Sequence, residues 1–499
     1  MESCTLTELH RAHGAAEAIR SLEGHPIGYG DLNAVVDRIA GQLRGLEIAR
    51  SDRVAIVLPN GAEAAAATLG VAAAATAAPL NPNYTQPEFR FYLHDLDARA
   101  VVTLADGPDL SGLGPDGIIQ LRLGGSALGD LALHHNRSAI PQEPAGAPEA
   151  ADIALVLHTS GTTARPKQVP LTHHNLALSA RNIAATLDLT PEDRALNVMP
   201  LFHIHGLVAG LFASMAAGGA VVCTPGFDAL RFNRWLTEAQ PTWFTAVPTM
   251  YQLLLARAGR AGRERSALRF TRSSSAAMPP VVLRAAEQLF RAPFIESYGM
   301  TEAAHQMTTN PLPPGMRKPG SVGIDGITEV RVLAENGSPA SAGVAGDIVI
   351  RGECVTPGYV ANPEANAAAF TDGWFRTGDI GHLDEDGYLF ITGRSKEVIN
   401  RGGTKISPRE IDEVLLDHPD IEQAVAFAVP HRWLGEEVGV AIIGSESLTE
   451  AEIKSFAAER LVASRVPTRV FFVDEIPKGP TGKLQRVGLA EKLGITAAD

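Results

Sequence analysis

Residues 159–168 read TSGTTARPKQ and follow an apolar run at 153–157, IALVL. The apolar run has the length and composition of a buried strand. The stretch after it gathers hydroxyls, one Gly, one Pro and two cations. Small residues let backbone N–H groups close around an anion. Thr159, Ser160, Thr162 and Thr163 add hydroxyl donors around Gly161, and Arg165 and Lys167 add positive charge. This is the chemistry of a polyphosphate clamp. A Ser/Thr/Gly surface turn is the competing reading, because such clusters are usually loops. The stretch is not a Walker loop, since no G-x-x-x-x-G-K-[ST] is present.

The 499 residues are too many for one core, so at least two domains are expected. Apolar residues make up 45% and charged residues 20%, the balance of a soluble globular chain. The net charge of −13 argues against a general nucleic-acid surface and leaves room for a local basic pocket. Cys4, Cys223 and Cys354 lie far apart with no C-x-x-C or Cys/His metal spacing. Inert thiols in a reducing compartment are therefore expected. The N-terminus lacks a signal pattern, the Ala-rich run at 64–78 reads as a packed helix rather than a membrane span, and the final AAD is no peroxisomal address. The expected location is cytoplasmic.

Working outward from the clamp, residues 31–46 carry Leu32, Val35, Val36, Ile39, Leu43 and Leu46 on one helical stripe, with Asp31 as N-cap. A strand at 54–58, an Ala-rich helix and a strand at 77–80 make a β-α-β unit, so a mainly parallel sheet covered by helices is expected. Another strand falls at 100–104, and 106–150 reads as an irregular connection. After the clamp come a helix at 173–187 and MPLFHIHGL at 199–207. His203 and His205 there suit a pocket wall better than a metal, because H-x-H lacks further ligands at useful spacing. Strands follow at 220–224, 243–248 and 270–278, the last ending in a small-residue turn.

SYGMTEAAH at 297–305 puts an aromatic, a Gly, a Thr and an acid at the end of a strand. Tyr298 can stack on a base, Thr301 can donate to a phosphate and Glu302 can ligate Mg²⁺. A loop leading into a capped helix is the alternative for that segment. Residues 320–393 alternate Gly and β-strand patterns, with Asp379 between two glycines, suited to a pair of ribose hydroxyls or to a hairpin turn. A boundary is expected within 393–412. Ser407, Pro408 and Glu410 then read as N-cap, first helical residue and capping-box acid. The last hundred or so residues alternate helix and strand and end in PKGPTGKLQR at 477–486, a Gly/Pro loop with Lys478 and Lys483.

Taken in order, TSGTTARPK, PLFHIHG, SYGMTE, RTGDIG, GRSKEVINRGG and PTGK resemble the adenylate-forming superfamily of acyl-CoA synthetases, adenylation domains and luciferases. The resemblance covers nearly the whole chain. PLFHIHGL, MTEAAHQM, NPLP, KPGSVG and INRGGTKISP look closest to the oxalyl-CoA synthetases, then to the coumarate-CoA ligases. It implies an α/β fold: a large N-terminal domain, 1–394, with a β-rich subdomain, and a small mobile α+β domain, 395–499. It implies ATP, Mg²⁺ and CoA, with a small-molecule carboxylic acid as substrate and no nucleic-acid partner.

The roles implied are residue by residue. Thr159, Ser160, Gly161, Thr162, Thr163 and Lys167 hold the β- and γ-phosphates. Tyr298 and Gly299 lie against adenine and the acyl pocket, Thr301 touches the α-phosphate, and Glu302 ligates Mg²⁺. Asp379 and Arg394 bind the ribose hydroxyls. Lys483 bridges carboxylate and α-phosphate during adenylation, Lys396 is the hinge, and Gly403 lines the pantetheine tunnel. His203, Ser275, Gly299 and His305 line a pocket that suits a small dicarboxylate such as oxalate. Three departures stand out: Gln168 and Ala164 replace common clamp glycines, restricting the loop's φ range, and Thr404 follows Gly403 where an acid or aromatic is more usual. The alternatives are an aromatic or other acid as substrate, a carrier protein or partner enzyme as acyl acceptor, and a nucleotide-binding protein without turnover.

Overall fold

The computed structural model describes residues 4–136, 138–159, 166–257, 267–477 and 486–495. Among these, four sheets form. In the first, Lys167–Thr172, Ile153–Thr159, Thr76–Pro79, Arg53–Ile56, Ala100–Leu104 and Ile119–Gly124 run side by side, with Ala132–His135 and Ser138–Ala139 at the far edge. Its centre is parallel, as the β-α-β pattern requires. The edge strands lie inside the stretch read as irregular. They are short and antiparallel, and so few residues give little periodicity to read.

Helix Tyr29–Gly45 buries its apolar stripe against helix Ala62–Ala72. The two approach so closely that a Cβ at Gly70 would lie 2.7 Å from Ile39. The helix begins three residues earlier than expected: Gly28, not Asp31, is the cap, and Asp31 sits in the first turn, where its charge favours the helix dipole.

The second sheet positions the site. Phe294–Met300, Phe270–Ser273, Trp243–Ala246, Arg194–Asn197, Ala220–Cys223 and Glu17–Ser21 are successive parallel neighbours. His305–Thr309 then folds back antiparallel on Phe294–Met300. Strands covered on both faces carry apolar runs, and sites gather beyond their carboxyl ends.

A third sheet holds Glu329–Leu333, Gly346–Arg351, Trp374–Leu383 and Leu389–Arg394. The fourth begins just after it, with hairpin Ile399–Arg401 and Thr404–Ile406 beside Gly435–Gly444, Ile421–His431 and Arg469–Phe472. Helices Pro408–Leu415 and Glu450–Ala458 pack on this last sheet, which has its own core around Ile411, Val438 and Ile453. Ser407 is the N-cap residue of the first of these helices, yet its hydroxyl donates to the Thr392 carbonyl, and Glu410 pairs with Arg465 instead of closing a capping box. All three cysteines are buried and unbridged. Among the described residues no helix is long and apolar enough to cross a membrane.

Candidate active site

Strand Phe294–Met300 delivers Tyr298 to the third sheet. Its hydroxyl donates to Asp379 Oδ2, and Arg394 Nε donates to Asp379 Oδ1 at 2.7 Å. Asp379 and Arg394 are cross-strand partners in the ladder between Trp374–Leu383 and Leu389–Arg394, so register alone sets this pair. Burial and the neighbouring carboxylate push the Tyr298 phenol well up, and Asp379 raises the Arg394 guanidinium further. The three expected residues thus meet around one buried carboxylate that has an exposed cation at its edge.

Past the strand, a 3-10 turn Thr301–Ala303 buries Thr301 and Glu302. Glu302 Oε1 accepts from the Tyr359 hydroxyl at 2.9 Å, and the Lys167 ammonium lies 4.4 Å over the Tyr359 ring. Burial raises the Glu302 carboxyl, opposed by Tyr359, Arg394 and Lys167. Tyr359, which sequence reasoning passed over, therefore joins the clamp to the acid. Thr159 pairs with Lys167 across the hairpin that flanks the clamp. Ser160, Gly161, Thr162, Thr163, Ala164 and Arg165 lie outside the described residues.

Gln168 sits in regular antiparallel strand opposite His158, not in a loop. Loss of φ freedom is therefore not its consequence. Its amide instead donates to Asp95 Oδ2 at 2.8 Å, and His158 Nε2 lies 3.0 Å from the same oxygen.

A cluster of polar side chains lies beside this end of the sheet. A π-helical segment, His205–Phe212, buries His205. His205 Nδ1 is 3.1 Å from Ser275 Oγ, and its Nε2 is 2.6 Å from Thr245 Oγ1. The His205 and His305 rings stack at 5.0 Å. His203 is half-buried, and its Nδ1 accepts from the His205 N–H at 3.4 Å. Ser275 and His305 both hold positive φ, +77° and +97°, unusual for residues with side chains and a mark of local constraint. Gly299 is required here, because a Cβ would lie 1.9 Å from the His305 carbonyl oxygen. The four expected acid-pocket residues thus converge, and His205 joins them.

Beneath them lies Arg272, wholly buried. Its Nη1 donates to Thr245 Oγ1 at 3.3 Å and to His305 Nε2 at 3.4 Å, and its Nη2 to Gln306 Oε1 at 3.1 Å. Burial lowers this guanidinium to about 9.

The family model described as AMP-binding enzyme matches residues 7–360, and that of the AMP-binding enzyme C-terminal domain matches residues 410–483. The chain belongs to the AMP-binding enzymes. The oxalate–CoA ligase of Arabidopsis thaliana is 45% identical, with 91% of each chain covered. That of Saccharomyces cerevisiae is 41% identical, covering 89% of this chain and 87% of its own. The crystal structure of ATP-bound MatB from Rhodopseudomonas palustris superposes with a TM-score of 0.90 at 29% identity, over 99% of both chains. The resemblance to adenylate-forming enzymes is borne out, as are the α/β fold with a smaller C-terminal unit and the expectation of an AMP-forming acid–thiol ligase.

In this AMP-binding enzyme the remaining expected residues lie past Arg394. Lys396 is exposed in the turn between the third and fourth sheets. Gly402 and Gly403 form a hairpin turn with φ of +56° and +92°, which glycine alone adopts freely. Lys483 and Lys478 lie outside the described residues. The chain re-emerges at Arg486, which was not foreseen. Its guanidinium donates to Asp412 Oδ2 at 2.7 Å and to Glu397 Oε2 at 3.2 Å, so the end of the lysine loop is tied to the residue after Lys396. A basic residue three positions after Lys483 was the available signal. Arg272 carried none: it stands as a lone Arg in the strand-like run FTRS.

Proposed function

We propose that this AMP-binding enzyme is an ATP-dependent oxalate–CoA ligase. The observation that carries the reading is the meeting of Tyr298, Asp379 and Arg394 with Glu302, Tyr359 and Lys167 around the carboxyl end of one strand. The oxalate–CoA ligases similar to this chain supply the acid.

A carboxylate is a poor electrophile. Its oxygen attacks the α-phosphorus of ATP, pyrophosphate leaves, and an acyl-adenylate forms. The sulfur of CoA then attacks the acyl carbon and AMP departs with the bonding pair. No protein nucleophile is needed, so catalysis is positioning and charge stabilisation. Asp379, held by Arg394, accepts from the ribose hydroxyls, and Tyr298 packs on the base. Thr159, Ser160, Gly161, Thr162, Thr163 and Lys167 cradle the terminal phosphates, and Thr301 donates to the α-phosphate.

Glu302 fits a divalent cation: it is buried and hydrogen-bonded to one phenol. Among the described residues no group of three ligands forms a protein-only cage, and Mg²⁺ is usually held by one or two carboxylates together with substrate phosphates. Mg²⁺ bound there neutralises phosphate charge. His203, Ser275, Gly299 and His305 line the acid pocket. Residues 395–499 act as a mobile domain that turns about Lys396, presenting Lys483 for adenylation and Gly403 for thiol transfer.

The test is a panel of carboxylic acids with pyrophosphate and thioester both measured. Oxalate-dependent pyrophosphate release and CoA-dependent oxalyl thioester are expected. Fast turnover of benzoates or medium-chain acids in preference to oxalate would sink the choice of acid. Adenylate without thioester would shift the acceptor to a carrier protein or partner enzyme.

A further inference from the structure

We propose that Arg272 is the positioning residue that makes this pocket select an acid bearing a second anionic group, acting through His305, Thr245 and His205. The proposal rests on the reading of the chain as an acid–CoA ligase and says which acids its pocket accepts.

A fully buried charge is normally met by an opposite charge. Arg272 is 0% exposed, and its side-chain hydrogen-bond partners are a hydroxyl, an imidazole and an amide, none of them a carboxylate. Its Nε has no partner among the described residues, and no carboxylate pairs with it there. The guanidinium stays protonated at neutral pH despite its burial. Among the described residues the fold therefore keeps a positive charge with no carboxylate partner next to the residues proposed to line the acid pocket.

That charge also sets the chemistry of its neighbours. Arginine only donates, so His305 Nε2 must accept, and the neutral ring carries its hydrogen on Nδ1. That nitrogen lies on the Gly299 side, 2.9 Å from where a Cβ of residue 299 would stand. Thr245 Oγ1 likewise accepts from Arg272 and sits against His205 Nε2, leaving His205 Nδ1 towards Ser275. Both imidazoles are tied at their far nitrogens to the Arg272–Thr245 pair and turn their near nitrogens to the acid-pocket residues. An acid with one carboxylate commits it to the α-phosphorus and leaves the field of Arg272 unanswered. A small dianion brings a second carboxylate to meet it. A purely structural Arg, tying three strands together, would affect all acids alike.

The experiment compares wild type with Arg272→Met, Arg272→Lys and Gln306→Glu. The last keeps Arg272 in place and gives it an internal carboxylate, so it tests the charge even where Arg272→Met folds poorly. Oxalate and malonate are set against glyoxylate and acetate in pyrophosphate release, and oxalate-induced shifts in melting temperature are read in the presence of AMP. Arg272→Met and Gln306→Glu should raise KM for the dianions on the order of a hundredfold with little change in kcat. They should leave the monoanions within about twofold and abolish the oxalate-induced shift, with partial rescue by Arg272→Lys. Equal losses on all four acids, or losses in kcat alone, overturn the proposal and leave the ligase reading intact. A wild type that prefers monoanions also overturns it. A wild type that releases no pyrophosphate with any acid, yet shows an oxalate shift lost in Gln306→Glu, supports the pocket assignment and overturns the ligase reading.

Discussion

Gln168 holds two parts of the first sheet's surroundings together. Its amide reaches Asp95 at the end of helix Gln86–Asp95, beside the His158 contact to the same carboxylate. Replacing it with Gly removes these bonds and loosens a paired strand, so Gln168→Gly should cost about 2 kcal/mol in urea unfolding. A variant as stable as wild type, with only a lower KM for ATP, would restore the loop-freedom argument. At Tyr359, removal of the hydroxyl leaves Glu302 without that donor. Tyr359→Phe should weaken adenylation about tenfold while thiol transfer from supplied acyl-AMP stays near wild type; an equal effect on both halves would discount the link. These residues differ in legibility. Tyr298, Asp379 and Glu302 stand in motifs whose order was readable. Gln168 was readable only as an oddity, because its partner lies 73 positions earlier. Arg272 was invisible, because four residues of a parallel strand do not say that both faces are covered.

Helix Pro408–Leu415 brings Arg409 and Glu413 towards Glu296, a wholly buried acid of strand Phe294–Met300 whose Oε1 accepts from the Met278 N–H at 3.1 Å. Burial raises the Glu296 carboxyl to about 7, against the pull of Arg409. The folded chain thus keeps its proton to a higher pH than the unfolded chain. The stability this group contributes is full below the ordinary glutamate range and falls as pH rises to about 7. Thermal midpoints should therefore drop between about pH 5 and pH 7 in wild type and flatten in Glu296→Gln. An unchanged slope in the variant would assign the dependence elsewhere. The elements themselves were largely readable where periodicity was long, as in helices Tyr29–Gly45 and His173–Thr186. They were not where strands were two to six residues at a sheet edge, as between Ile119 and Ala139. The capping signature at Ser407 was also readable, but a tertiary partner, the Thr392 carbonyl, took the hydroxyl.

At the scale of the whole molecule, the third sheet ends at Arg394 and the fourth begins at Ile399, leaving a short exposed connection around Lys396. Arg486, three residues after Lys483, is hydrogen-bonded to Glu397 at this same connection. Lys483→Ala should remove about 3–4 kcal/mol from the adenylation transition state and leave transfer from supplied acyl-AMP to CoA nearly intact. A bulky replacement of Gly403 should do the reverse, and loss of both halves in Lys483→Ala would refute the two-pose scheme. The buried cysteines have a consequence for such work. Oxidised CoA exchanges with exposed protein thiolates. Burial pushes the Cys223 and Cys354 thiols up to about 12, and Cys4 is likewise enclosed and raised. The native enzyme should therefore resist mixed-disulfide formation with its own co-substrate and take up no maleimide until it unfolds. That silence makes a clean background for one introduced label. Trp433→Cys, on an exposed turn of the small unit, would carry a fluorophore whose signal tests whether that unit moves during turnover.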